Sequence, residues 1–166
     1  MGNDQHHISG FKVSRRRLPH HEDLGATYFL CLCLKRPPVV DLVLPEVAHT
    51  IVAALRYFDG QRYLLFDYCV MPDHVHMLVK PIVANGKAES IKHIMRCLKG
   101  WTARRINEVL GREGEVWQDD TYDHLVRNED DFHEKAAYIF DNPHRAGLVD
   151  DPAKWPWWGQ GSGLSS

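Results

Sequence analysis

Residues 62–80 constrain the fold of this chain more tightly than any other stretch. An apolar run over 63–70 and a second over 74–80 flank Met71-Pro72-Asp73, a turn signal, and the pattern predicts a β-hairpin. Side chains alternate faces along a strand. Val75, Met77 and Val79 therefore point one way and are available for burial, while His74 and His76 stand side by side on the other face. Two imidazoles at that spacing suit a shared cation, although a His-x-His pair alone is weak evidence for one.

Elements of ordinary length surround the hairpin. Residues 26–34 form a compact apolar run ended by Lys35-Arg36-Pro37-Pro38 and read as a first, central strand. Pro45 opens a helix to about Phe58, with Val47, Ile51, Ala54 and Leu55 on its apolar stripe and Asp59-Gly60 as its stop. Asn85-Gly86 marks a loop. A long helix is predicted over 89–110, ended by Gly111. Val116-Trp117-Gln118 reads as a strand, followed by a connecting stretch to Arg127. Asn128 is the expected N-cap of a third helix that runs to about Asn142 and ends at Pro143. Residues 150–166 form a Trp/Pro/Gly tail with little pattern.

The order β-α-β-β-α-β plus a C-terminal helix predicts an α+β, ferredoxin-like antiparallel sheet, with helices on one face and the other left for work. The expected organisation is a flexible segment at 1–23, a single domain at 24–149 and a tail at 150–166. That fold hosts many functions, so function must come from side chains.

Composition excludes several classes. No apolar run approaches the roughly 18–20 residues of a membrane span, and residues 1–10 lack the apolar core of a secretory signal. The four cysteines, Cys31, Cys33, Cys69 and Cys97, form no Cys-x-x-Cys pair, which removes zinc-ribbon and thioredoxin readings. Buried, reduced thiols in a cytoplasmic protein are expected. A net charge of −2 argues against coating nucleic acid by bulk charge. Local basic groups remain: Arg15-Arg16-Arg17, Lys35-Arg36, and Lys92, Arg96 and Lys99 on one helix face.

The third helix holds Tyr138 and Asn142 at i and i+4, on one helix face. Laid over the hairpin, that face would let one divalent cation take nitrogens from His74 and His76 and the amide oxygen of Asn142. Open positions would remain for a phosphate oxygen and water. Such donors suit Mg²⁺ or Mn²⁺ better than a closed zinc site. Tyr138 is then a candidate nucleophile beside the phosphate. The plainer readings are a packed tyrosine and a helix C-cap.

Tyr68-x-x-Met71-Pro72-Asp73-His74-Val75-His76 resembles the HUH signature (His, hydrophobic, His) of the single-tyrosine transposases. Residues 91–107 with Lys99, Val116-Trp117-Gln118, Tyr122-Asp123-His124-x-x-Arg127 and Tyr138-Ile139-x-x-Asn142-Pro143-x-x-Ala146-Gly147-Leu148-Val149 resemble the REP-associated branch. The likeness covers roughly residues 24–158, in the expected order.

The resemblance implies a metal-dependent single-strand DNA endonuclease and strand transferase. Tyr138 would attack a DNA phosphate, forming a 5′-phosphotyrosine link and freeing a 3′-OH. His74 and His76 carry over as metal ligands, and Asn142 occupies the third ligand's position. Lys92, Arg96 and Lys99 would follow the phosphate backbone, and Trp117 would stack on an unpaired base, with core packing as its alternative. The implied partner is single-stranded or hairpin DNA, handled by a monomer rather than a homodimer. The acidic balance, the short tail after Val149 and the crowded Trp155-Pro156-Trp157-Trp158 depart from the family pattern.

Other functions compete. A histidine-triad hydrolase needs a third histidine where Leu78 stands, and a cupin needs many short strands instead of long helices. The serious rival is a ferredoxin-like nucleic-acid-binding module, a domesticated relative that binds hairpins without cutting them. The strands lack an aromatic-rich RNP pattern, and a nicking assay separates the two readings.

Overall fold

A computed structural model describes residues 25–164. The segment expected to be flexible at 1–23, with its arginine cluster, lies outside the described residues. In chain order the elements are β1 (Tyr28–Cys33), α1 (Pro45–Phe58), β2 (Tyr63–Val70), β3 (His74–Pro81), β4 (Val83–Ala84), β5 (Lys87–Ala88), α2 (Ile91–Leu110), β6 (Tyr122–Leu125), α3 (Glu129–Arg145) and β7 (Trp158–Gln160). Five strands form one antiparallel sheet in the order β6-β1-β3-β2-β7. The α+β, ferredoxin-like architecture read from the sequence is present. β4 and β5 form a separate ribbon turned by Asn85 and Gly86, both at positive φ, as a two-residue hairpin loop requires.

Strand alternation sorts the side chains into two cores. Tyr28, Leu30, Leu32, Val75, Met77 and Val79 face α1 and α2, where they meet Ile51, Leu55, Ile94 and Leu98. Phe29, Cys69 and Leu78 face the other way and pack with Ile139 of α3. Each such Leu, Val or Met, removed from water, contributes about 1.5–3 kcal/mol. The sheet is thus covered on both faces, and α3 lies over the face that carries the histidines.

Three sequence expectations need correction. The fourth strand of the ferredoxin-like core is Tyr122–Leu125, and Val116-Trp117-Gln118 makes only a single bridge, Trp117 to Leu34. Both lie along the β1 segment, but the steps from 34 to 31 on that segment oppose the longer path from 117 to 122, which interrupts the ladder. Along that longer path Lys99 Nζ donates to the carbonyls of Gln118, Asp119 and Asp120 at 2.8, 3.1 and 3.1 Å, while the Gln118 N–H still bonds the Cys33 carbonyl.

The third helix does not stop at Pro143 but runs to Arg145. Gly147, at φ 71°, closes it with bonds from its own N–H to the His144 carbonyl and from the Leu148 N–H to the Pro143 carbonyl, a Schellman ending. Proline can occupy the last turn because it forfeits one N–H while its carbonyl is still used.

The tail also has structure. β7 adds a fifth strand to the free edge of β2, with Asp67, Tyr68 and Cys69 opposite Gln160, Gly159 and Trp158. Trp155 Nε1 donates to the Val70 carbonyl at 3.0 Å. A Cβ on Gly159 would collide with the Tyr68 hydroxyl, so only glycine allows the strands to approach this closely.

Candidate active site

Strand register builds the site as a row of side chains across one sheet face. Tyr122 pairs with Cys31, Cys31 with His76, His76 with Cys69 and Cys69 with Trp158. One step along, Cys33 pairs with His74. The two histidine rings lie 4.5 Å apart between centroids, and Phe29 stacks on His76 at 5.1 Å. The expected pairing of His74 and His76 on one face is therefore present.

Burial makes this pair costly as it stands. His76 is 1% exposed, and neither of its ring nitrogens has a hydrogen-bond partner. Burial, with the adjacent His74 second, holds its pKa well below the ordinary histidine range, so the ring is neutral at pH 7. His74 Nδ1 bonds Asp73 Oδ1 at 2.7 Å, while its Nε2 is buried and unpartnered. The hydrogen bond with His74 keeps the Asp73 carboxyl below its usual range. A carboxylate on one imidazole nitrogen and an unused second nitrogen is the arrangement that orients a metal-binding histidine.

α3 supplies the facing residues. Lys135, Ile139, Asn142 and Pro143 are its buried positions, and their spacing turns Tyr138 and Asn142 toward the sheet. The Tyr138 ring stands edge-on to His76, 5.4 Å between centroids, and edge-on to Phe29 at 6.0 Å. Burial raises the Tyr138 phenol above its usual pKa, against an opposing hydrogen bond with the Asn142 side chain. Four residues named from the sequence, His74, His76, Tyr138 and Asn142, thus converge on the interface of β3 and α3. Among the described residues no set of three His, Cys, Asp or Glu side chains is arranged to hold a metal, so any third protein ligand beside His74 and His76 would be of another type. The 8% exposed Asn142 amide is the neighbouring candidate, and two orphaned imidazoles with an amide oxygen fit an open divalent site better than a closed thiolate one.

The other expected residues divide. Lys92 and Arg96 are exposed on α2, across the sheet from the histidines. Lys99 is not part of an exposed stripe, because its ammonium is held by the three carbonyls described above. Trp117 is 7% exposed in the α2 core, and its Nε1 donates to Thr102 Oγ1 at 2.9 Å, which leaves no ring face for a base. Core packing, its alternative reading, is where the structure puts it.

Several site residues escaped the sequence reading. Cys31 and Cys33 face the histidines with their sulfurs 3.6 Å apart, and all four cysteines are free. Cys33 is only half-buried, and its hydrogen bond with Cys31 brings its thiol down to about 7. Arg145 lies over the Tyr138 ring, 5.4 Å from its centroid. Its i+7 spacing from Tyr138 was the available signal. Tyr122 is closer than expected, edge-on to Phe29, yet two strands from His76 along the row. Concavities of about 560 and 500 Å³ lie at the end of α2 and beside Lys80 and Val83, away from this chemistry. The histidine–tyrosine site is not either of these hollows.

Comparison with known proteins bears on the same segments. The family model "Transposase IS200 like" matches residues 30–140. A Haemophilus influenzae protein provisionally named a REP-associated tyrosine transposase is 29% identical over 98 residues, 54% of each chain, so the match spans about half of that relative's length. A REP-associated tyrosine transposase solved bound to a REP hairpin superposes with a TM-score of 0.66 at 20% identity, over 86% of this chain and 81% of that one. A crystal structure from Deinococcus radiodurans, provisionally described as a transposase, gives 0.50 at 20% identity over 76% and 97%. At these identities the two structures establish the shared fold.

Proposed function

The chain belongs to the IS200-like transposase family, and from that premise we propose that it nicks and rejoins single-stranded, hairpin-forming DNA through a covalent 5′-phosphotyrosine. The observation that carries this reading is the Tyr138 ring edge-on to His76, whose nitrogens are both buried without partners. A nucleophile and an unpartnered donor pair are thereby held on two rigid elements.

Each residue has a task. His74 and His76, with Asn142, would hold a divalent ion, Mg²⁺ or Mn²⁺. When bound, that ion supplies charge for a phosphate oxygen. Asp73 fixes the His74 ring so that Nε2 faces inward. Asn142 hydrogen-bonds Tyr138 and so ties the nucleophile to the same helix turn. Tyr138 Oη forms the bond to phosphorus, its proton leaves, the P–O3′ bond breaks, and the departing oxygen becomes a 3′-OH. Attack by another 3′-OH reverses the step and joins strands. The proposed place of action is the cytoplasm, on DNA; among the described residues no helix is long and apolar enough to cross a membrane. The proposed acting unit is a monomer, a reading supported by Tyr138 lying against His76 of its own chain.

The test is a denaturing gel of labelled single-stranded hairpin DNA with Mg²⁺ or Mn²⁺. Wild type should give nicked DNA and a protein–DNA adduct. Tyr138→Phe should give neither, while Tyr122→Phe retains both. Cleavage without an adduct would mean that water is the nucleophile. Hairpin binding with no cleavage under any divalent ion would establish the domesticated binding module instead.

A further inference from the structure

Tyr138 is flanked along α3 by two cations that differ in what they can do. Lys135, one turn before it, is 3% exposed and salt-bridged to Asp131 at 3.3 Å and Glu134 at 3.0 Å, so its charge is matched in place. Arg145, two turns after it, is exposed, and among the described residues it forms no salt bridge. Its guanidinium lies over the Tyr138 ring. Stacking uses the flat face of a guanidinium and leaves the N–H edge for other partners. Positions 138, 142 and 145 share one helix side by the 3.6-residue repeat, so that edge lies on the side carrying the nucleophile.

We infer that Arg145 is a catalytic residue: its guanidinium fork holds the non-bridging oxygens of the phosphate that Tyr138 attacks. The inference rests on the reading of Tyr138 as nucleophile. As the Oη–P bond forms and the P–O3′ bond breaks, charge builds on the equatorial phosphate oxygens. The phenol proton passes to solvent and the leaving 3′ oxygen takes one up, so neither step needs a redox partner. A guanidinium offers two parallel N–H donors to such a pair of oxygens. Held 5.4 Å from the centre of the nucleophile's own ring and on the same helix, Arg145 needs no separate element to bring its donors to the phosphate.

The experiment is single-turnover adduct formation on labelled single-stranded hairpin DNA with Mn²⁺, followed across DNA concentrations. Arg145→Ala should lower the rate at saturating DNA by about 10²–10³-fold, the usual cost of removing one transition-state donor. The half-saturating DNA concentration should move less than about threefold. Arg145→Lys should recover part of the rate. Guanidinium ion added to Arg145→Ala should restore activity in a saturable way that urea at the same concentration does not, a response that a purely structural arginine would not give. An Arg145→Ala rate within about twofold of wild type overturns the inference. So does a loss confined to half-saturation, or the absence of guanidinium rescue. If wild type forms no adduct, the nucleophile reading and this inference fall together. If wild type forms one and Arg145→Ala matches it, this inference falls alone.

Discussion

His76 and Tyr138 meet ring-edge to ring across the packed interface of β3 and α3, 5.4 Å between centroids and 71° between planes. One residue comes from a strand interior and the other from a helix much later in the chain, yet both depend on the same small apolar core of Phe29, Cys69, Leu78 and Ile139. The site is therefore as rigid as that core.

A buried imidazole with no partner weakens the metal-free fold, because a polar group deprived of water costs about 1–3 kcal/mol. His76→Leu should accordingly match or exceed wild type in melting temperature when a chelator is present. Added Mn²⁺ should raise the melting temperature of wild type and leave His76→Leu unchanged, with nicking lost. Equal stabilisation of both proteins by Mn²⁺ would place the metal elsewhere.

Lys92 and Arg96 should behave differently from Lys99. If the first two meet phosphates, replacing both with alanine lowers the salt dependence of single-strand binding by about 0.7 log units for each phosphate no longer neutralised. Lys99→Met removes an ammonium bonded to three carbonyls and should instead lower thermal stability. Binding measured from low to high salt, beside a thermal melt, checks both. An unchanged slope in the double variant assigns Lys92 and Arg96 to solvated surface.

Acid should loosen the start of α3. Burial opposes ionisation of Asp131, but the Arg127 backbone N–H, His124 and Lys135 outweigh it and bring the carboxyl down to about 2. Its folded pKa is below the ordinary value of about 3.9, so its stabilising effect is complete above roughly pH 4 and is lost as pH falls through 2. Asp131→Asn should cost about 1–3 kcal/mol at neutral pH, since it weakens the pairing of buried Lys135. It should also flatten the melting-temperature profile between pH 4 and about 2. A variant profile parallel to wild type would show that another carboxylate governs acid unfolding.

Gly159→Ala should detach the fifth strand. The added methyl meets the Tyr68 hydroxyl well inside any tolerable approach. Overpacking of this kind costs about 1–3 kcal/mol. Hydrogen exchange at the amides of residues 159 and 161, which face β2 in this register, should accelerate while β1 and β3 amides stay protected. Unchanged exchange would mean that Tyr68 moves aside at little cost.

The local pattern of the chain determined the hairpin, the three helices, the cap at Asn128 and the shared face of His74 and His76, because period-2 and period-3.6 burial are written in consecutive residues. It also placed Tyr138 beside Asn142 on one helix turn. Tertiary structure decided the rest. Whether that helix lies over the histidines depends on Ile139 packing against Phe29 and Leu78, which come from two strands far earlier in the chain, and no spacing rule reaches that far. The same holds for Trp117, which reads equally as a stacking platform or as core until Thr102 and β1 enclose it. Lys99 shares a helix stripe with Lys92 and Arg96, but only the path of residues 118–120 reveals that its donors are taken. β7 gives no signal because a three-residue strand has too few alternations to register, and Gly159, with Gly161 just after the strand, matters through the closeness of Tyr68 and Leu65. Side-chain type and period specify which face a residue occupies. What that face meets is set by long-range packing, where burial, not sequence separation, decides which residues come together.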